Sequence, residues 1–445
     1  MNLTRPQPRV RPFFRRLAIV CVIVLIPIAA FSLWDYIEAR ALVSQVQAIA
    51  RRREPVNIDA LTKPLATPEQ RESARLYMAA AILASGGDFK DIAFAARRIA
   101  DIAAAPPDAA SPATLDEITR VYERVKPALD LLDRATPLRF VGFGHERPRY
   151  AAQTGDVWRL AQLNSLRADV LALRGDPDGA AHALLSGVRL ERTLDGPAQR
   201  RTFDSVQLLL ARTRPSAASL AALQQAYGDL GAKDHVAEWV LKMRAMWLDE
   251  WSPRSFDGPT ESERLVALGL GVSPVIQFVE RPWRAHQARV WLNSAEVALD
   301  TARRPWPEKL DVAKRRAAAA GHVLYPPFQF AGFINAGLPH AGFLLAGNRA
   351  AVAVLAIERY RRDHGGAPPD TLQQLPPHYV SAVPMDPFSG KALRYLRTPD
   401  AYIVYSFGLN RQDDGGDIGA FTPDADLALD EGLVRDIGIR VPLRR

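Results

Sequence analysis

Leu17 to Trp34, LAIVCVIVLIPIAAFSLW, is an eighteen-residue run with no charge and only Ser32 as a polar side chain. No other stretch limits the chain so strongly. As a helix rising about 1.5 Å per residue it would reach ~27 Å, close to the hydrocarbon thickness of a bilayer. Pro27 is tolerated there, because apolar packing and small helical adjustments satisfy the backbone group it frees. Trp34 and Tyr36 then fall where an aromatic belt meets the far interface. The rival reading is a cleaved signal peptide, whose apolar region is usually about 7 to 15 residues and ends in a small-x-small site. Ala29-Ala30-Phe31-Ser32 is a poor site of that kind. A helical pattern also continues through Ile37, Leu42, Val43, Val46 and Ile49, with Glu38, Arg40 and Gln45 between them. A retained anchor is therefore the preferred reading.

Charge gives the anchor a direction. Arg5, Arg9, Arg11, Arg15 and Arg16 precede it with no acid among them, while Asp35 and Glu38 follow. The positive-inside rule then predicts a basic cytoplasmic tail (1–16), a transmembrane helix (17–34), and a juxtamembrane helix and linker (35–66) on the opposite side. In a bacterium this is an inner-membrane protein with a periplasmic bulk. The whole chain of 445 residues has 57 Lys and Arg against 49 Asp and Glu, net +8. Five of those positive charges lie in the first sixteen residues, which leaves 52 against 49 in the rest. A body so nearly neutral gives no reason to expect a nucleic-acid partner. The sole cysteine, Cys21, lies inside the apolar run, so an intrachain disulfide, a Cys-rich zinc module and an exported thiol nucleophile are all excluded.

Residues 67–345 read as an Ala-rich body of antiparallel helical hairpins, with little strand-like alternation. Thr67-Pro68-Glu69-Gln70, Thr114-Leu115-Asp116-Glu117 and Thr260-Glu261-Ser262-Glu263 each place a hydroxyl three residues before Glu or Gln, the capping-box spacing. Breaks are expected at Pro106-Pro107-Asp108, across 136–148, and from Ser252-Pro253 to Gly258-Pro259. One helix-turn-helix is especially legible. Leu163, Leu166, Ala168, Leu171 and Ala172 lead to the turn Gly175-Asp176-Pro177-Asp178, and Ala180, Ala181, Leu184, Leu185, Val188 and Leu190 follow. A looser copy turns at Gly86-Gly87-Asp88. These hairpins loosely resemble tetratricopeptide units, which implies a concave surface for a protein partner; an ordinary helical domain accounts for them equally well. Trp239, Met243, Trp247 and Trp251 form one stripe, expected to be core. Val323 to Asn348 is 26 residues without a charge, but three prolines, Gln329, Asn335 and His340 make it a buried or membrane-apposed segment rather than a second span.

After Gly347 the pattern changes to a small α+β module, 346–445. Asn348–His364 predicts a helix closed by Gly365-Gly366, followed by a short segment at Thr371–Leu375 and a turn at Asp386-Pro387-Phe388-Ser389-Gly390. Ala392–Arg397 and Ala401–Phe407 read as a hairpin turning at Thr398-Pro399-Asp400. The loop Asn410-Arg411-Gln412-Asp413-Asp414-Gly415-Gly416-Asp417 comes next, and 412–431 holds seven acids and no base. Asn410, Asp413, Asp414 and Asp417 supply hard oxygen donors on a chain that two glycines allow to curl, the chemistry calcium takes. A solvated acidic turn is the alternative.

The succession IERYRRDHGGAPPDTLQQL, YVSAVPMDPFSGKALRY, YIVYSFGLNRQDDGGDIG resembles the globular part of the major pseudopilin of type II secretion systems. The residues that carry the likeness are Asp363, Gly365 and Pro368, then Pro384, Asp386, Pro387, Phe388 and Gly390, then Tyr405, Ser406, Gly408, Asp413, Asp414 and Asp417. The resemblance implies a calcium-binding exit loop and a link to a secretion or pilus-like assembly. Met1–Arg16 contains no pseudopilin processing site, so the expectation is an anchored helical protein with a pseudopilin-like module joined to it, not a processed filament subunit.

Enzymatic signatures are not found. The eight histidines are dispersed, and no H-E-x-x-H, P-loop, G-x-S-x-G elbow or dinucleotide glycine pattern occurs. No catalytic residue is assigned. The expected function is a non-enzymatic, single-span scaffold or accessory protein of a secretion or pilus-like assembly, with an envelope protein as partner. The alternative is a membrane-anchored envelope hydrolase using carboxylates of the helical body.

Overall fold

The structure, a computed structural model, describes residues 11–57, 59–61, 65–85, 112–138, 150–191, 202–232, 234–250, 274–320, 328–418 and 435–443. The protein is mainly helical with one small antiparallel sheet. In chain order the described helices are α1 (Arg11–Arg51), α2 (Pro68–Ser85), α3 (Pro112–Ala135), α4 (Tyr150–Leu173), α5 (Pro177–Glu191), α6 (Thr202–Arg212), α7 (Ala217–Ala232), α8 (Val236–Glu250), α9 (Pro274–Ala302), α10 (Glu308–Ala320) and α11 (Phe328–Asp363). The strands are β1 (Arg394–Arg397), β2 (Ala401–Ser406) and β3 (Ile437–Pro442). Two compact units divide the chain. One comprises 1–58, 241–297 and 323–331; the other comprises 59–240, 298–322 and 332–445. The second unit thus holds residues of both the helical body and the C-terminal α+β segment.

In the first unit, α1 runs unbroken from the apolar run into the amphipathic stretch, with Pro27 inside it. Its polar half pairs with α9. Ile49, Leu292 and Leu248 form a small core, flanked by Leu42, Val46, Val56 and Trp291. Around it stand charges from three helices and the segment after α1. The fully buried Arg244 reaches Glu296 at 2.6 Å and Glu54 at 2.8 Å, and Arg52 binds the same two carboxylates. Several turns closer to the apolar run, Glu38 accepts from Arg289 at 2.7 Å and lies 3.2 Å from His286 Nδ1. Burial alone would raise the Glu38 carboxyl, but the His286 hydrogen bond and the Arg289 charge overcome it and hold it below its ordinary value.

In the second unit, α2–α5 build the main apolar core from Leu76, Ala80, Ile118, Leu129, Leu132, Leu160 and Leu163, among others. Local sequence explains the entries and turns. At α2, Gln70 N–H donates to Thr67 Oγ1 (3.2 Å) while Gln70 Oε1 accepts from Thr67 N–H (3.2 Å), the reciprocal capping box. Thr114 behaves differently: α3 already begins at Pro112, so Thr114 sits within the first turn. The expected helix-turn-helix is α4 and α5. Gly175 takes φ +78°, Asp176 N–H returns to Leu171 O at 2.9 Å, and the Asp176 carboxylate caps Gly179 N–H at 2.9 Å. The second copy, at 86–88, and Trp251 and 260–263 lie outside the described residues.

α11 is the buried axis of this unit. Gly337–Asp363 is long and apolar enough to cross a membrane, yet 89% of its apolar window is buried inside the protein. Close approach makes that burial possible: a Cβ at Gly342 would lie 2.8 Å from the Phe388 ring, and one at Gly347 2.6 Å from Phe203. Its C-terminus is closed as expected, with Gly365 and Gly366 at φ +63° and +89° and Gly366 N–H bonded to Arg361 O at 2.7 Å. Of the expected core stripe, Trp239 is buried against Gly337, whereas Met243 and Trp247 are only half-buried.

The hairpin pairs β1 with β2 from Arg394↔Tyr405 to Arg397↔Tyr402. β3 then adds to the other edge of β2, from Ala401↔Pro442 to Ser406↔Ile437. β2 is therefore central and buried along its whole length. Tyr402 Oη donates to Glu358 on α11 at 2.6 Å, which ties one sheet face to the helix. Further ties run to the helical body: Arg359 to Gln224 at 2.7 Å, Arg349 to Gly231 O at 3.3 Å, and Arg440 N–H to Gln207 at 3.0 Å.

Candidate functional site

The acidic loop leaves β2 at Phe407 and curls back over the sheet face opposite α11. Gly408, Arg411, Gly415 and Gly416 all take positive φ, between 56° and 78°. At Gly408 this is obligatory in a second sense, since a Cβ there would lie 2.3 Å from the Arg435 carbonyl oxygen. A Cβ at Gly416 would lie 3.3 Å from Ile403 and 3.4 Å from Leu396 at a φ of +78°, so glycine suits this close approach to the sheet.

The turn before the hairpin supports this loop. Asp386 is buried, and its carboxylate accepts from Phe388 N–H (2.9 Å), Ser389 Oγ (2.6 Å), Ser406 Oγ (2.5 Å) and Phe407 N–H (3.3 Å). One side chain thus clamps the Asp386–Gly390 turn to the end of β2, from which the loop departs.

The four predicted donors do not all meet. Asn410 Nδ2 donates to Asp414 Oδ2 at 2.9 Å, and its own Oδ1 accepts from Gln412 N–H at 3.0 Å. Asp413 accepts from Tyr405 Oη (3.0 Å), Gly415 N–H (3.1 Å) and Arg394 (3.3 Å). Asp417 turns to an ion pair with Arg435. Among the described residues, no three His, Cys, Asp or Glu side chains stand together in a group ready to hold a metal ion.

A fourth acid belongs to this place. Asp436, immediately before β3, is 2% exposed. Its Oδ2 accepts from Gly416 N–H at 2.7 Å, while its Oδ1 is buried with no hydrogen-bond partner. Burial, joined by the charges of Asp414 and Asp413 and opposed by the Gly416 and Asp414 backbone N–H groups, pushes its carboxyl up to about 6. Burial, with the neighbouring Asp413, likewise pushes the Tyr405 phenol up to about 12. The missed signal was the alternation of Ile437, Ile439 and Val441, which marks a strand and so brings Asp436 beside the loop.

The donor set suits a hard cation in its chemistry, being all oxygen with clustered negative charge and one unpartnered buried carboxylate oxygen. In its placement the fit is partial: Asp413, Asp414 and Asp436 share a field, while Asn410 and Asp417 are held by other partners. Several described carboxylates of the helical body are engaged with guanidinium groups instead. Asp133 binds Arg167 at 2.5 Å, Asp300 binds Arg316 at 2.7 Å, and Glu308 binds Arg304 at 2.6 Å. The Arg316 hydrogen bond holds the Asp300 carboxyl below its ordinary value, which makes it a weaker base.

Searches against protein-family models, curated proteins and solved structures find no match to this chain.

Proposed function

We propose that the protein is a single-span bacterial inner-membrane protein, N-terminus cytoplasmic, that acts without catalysis as a scaffold or accessory of a secretion or pilus-like assembly. The observation that carries the anchoring is α1 itself. Val22, Ile23, Leu25, Ile26, Ile28 and Leu33 are 52–64% exposed along one continuous helix, a burden of bare apolar surface that water disfavours and a bilayer accepts. The exported bulk then offers a helical body for an envelope protein partner. The C-terminal α+β segment, with its clamped turn and curled acidic loop, is the pseudopilin-like portion by which the protein would meet that assembly. Support for this part comes from the order of its sequence segments and from a helix, hairpin and loop in the same succession.

Calcium is proposed as the cation of the loop, held by Asp413 and Asp414 together with Asp436, and with Asn410 and Asp417 recruited from their present partners. When bound, it would neutralise the mutual repulsion of these carboxylates. The full-length protein in detergent should gain several degrees in Tm on addition of millimolar calcium at pH 7.5, with magnesium giving less. An unchanged Tm would remove calcium from the account. The function itself is tested by crosslinking in intact cells and purification of the full-length protein from membranes. Enrichment of secretion or pilus-type envelope components supports the reading; recovery of the protein with none of them contradicts it.

A further inference from the structure

Within the first unit, α1 and α9 run parallel, which fixes what lies at the level where the apolar run ends. Glu38 meets His286 and Arg289, Gln45 Nε2 donates to Asn293 Oδ1 at 2.9 Å, and Arg52 reaches Glu296 at 2.8 Å. Residue numbers rise together along both helices. Trp283, one turn before His286, therefore lies level with the turn of α1 that precedes Glu38, the turn containing Trp34. Among the described residues, three aromatic side chains are exposed at this height: Trp34 at 38%, Tyr36 at 58% and Trp283 at 47%.

The surroundings of these rings differ on the two sides. Toward the N-terminus, the described α1 residues from Val22 to Ala30 are exposed around the helix. Toward the C-terminus, Glu38, Leu42, Val46 and Ile49 turn inward against α9 and its neighbours. Basic side chains gather at the same level: Arg40 donates to Tyr36 Oη at 2.9 Å and lies over its ring, Arg281 is exposed, and Arg284 is half-buried. Trp283 also stacks with His286, which fixes the indole near the helix pair.

Indole and phenol rings collect at the boundary between hydrocarbon and headgroups, where arginines reach anionic phosphates. The geometry points to a second membrane contact: the start of α9, through Trp283 and with Arg281 and Arg284, seats in the outer-facing lipid interface of the bilayer that α1 crosses. Trp34, Tyr36 and Arg40 complete the ring from the α1 side. The partner is the phospholipid interface, and the contact is continuous with the anchor span. It rests on the proposed anchoring by α1. It adds that the helix pair stands on the membrane at a fixed height instead of being tethered by a single stem.

Spin-label depth measurements on the full-length protein in vesicles of phosphatidylethanolamine and phosphatidylglycerol test this. In a Cys21→Ser background, single cysteines are introduced as Leu25→Cys, Trp283→Cys and Val297→Cys, all at exposed positions. The label at 25 should be deep in the hydrocarbon, that at 283 at headgroup depth, and that at 297 in water. The ratio of oxygen to nickel-complex accessibility at 283 should exceed that at 297 several-fold. A deep label at 25 with one at 283 as water-accessible as at 297 would overturn the second contact while sparing the anchor. A label at 283 shielded from both reagents would mean that protein, not lipid, covers this face, and would also overturn it. A label at 25 outside the bilayer would remove the anchor and this inference together.

Discussion

Asp436 shows how a single acid can couple a loop to its strand at a cost. Its raised pKa means that the folded state holds the proton more tightly than the unfolded chain. The stabilisation linked to that proton is therefore present below pH ~4 and is lost as pH rises through about 6. At pH 7.5 the ionised, half-partnered carboxylate weakens the unit. Asp436→Asn keeps an acceptor for Gly416 N–H and removes the charge, so it should stabilise the protein by about 1–3 kcal/mol at pH 7.5 and by far less at pH 4.5, read from urea unfolding. A variant less stable than the parent at both pH values would show that the Asp436 charge is satisfied. The same substitution should abolish any calcium-induced rise in Tm, because it deletes a ligand oxygen that must be ionised to bind.

Between elements, the least local interactions hold α1 to its partners. Arg244 joins Glu54, 190 positions away, and Glu296, 52 positions away. Removing one member of a buried charge group leaves the others uncompensated, whereas replacing the whole group by apolar side chains of similar volume can be tolerated. Arg244→Ala and Arg244→Met should thus both destabilise by ~3–5 kcal/mol in thermal or urea unfolding, because both leave Glu54 and Glu296 without Arg244. A loss in Arg244→Met far smaller than in Arg244→Ala would indicate that the contribution lies in packing and not in charge. Such a group was invisible in the sequence because no periodicity links positions so far apart. Local features were legible: the Thr67–Gln70 capping box, the Gly175–Asp176 turn, the glycine stop after α11 and the β1–β2 hairpin all follow from neighbouring residues. The alternation that marks β3 is short, and the acid beside the loop directly precedes it. Asn410 and Asp417 suit a hard cation in their chemistry, but composition does not reveal that Asp414 and Arg435 engage them.

For the molecule as a whole, the decisive quantity is which long apolar helix is covered. Two candidates existed in the sequence, the run at 17–34 and the charge-free stretch ending at Asn348. The described part of the second, from Gly337, lies in α11 and is mostly buried, whereas the described apolar side chains of the first stand exposed along α1. That contrast follows from packing partners more than from hydropathy: α11 has Trp239, Phe203, Phe388 and the sheet around it, and the described α1 side chains that pack against α9 and its neighbours lie from Glu38 onward. The proposed topology is one crossing by α1 with an exported bulk. Fusing alkaline phosphatase after residue 60, and separately after residue 445, in a bacterial host measures this most directly. Both fusions are predicted to be active, with green fluorescent protein at the same positions dark when exported through the general secretory route. Inactive phosphatase at both positions, or activity at 60 with none at 445, would contradict the single outward crossing.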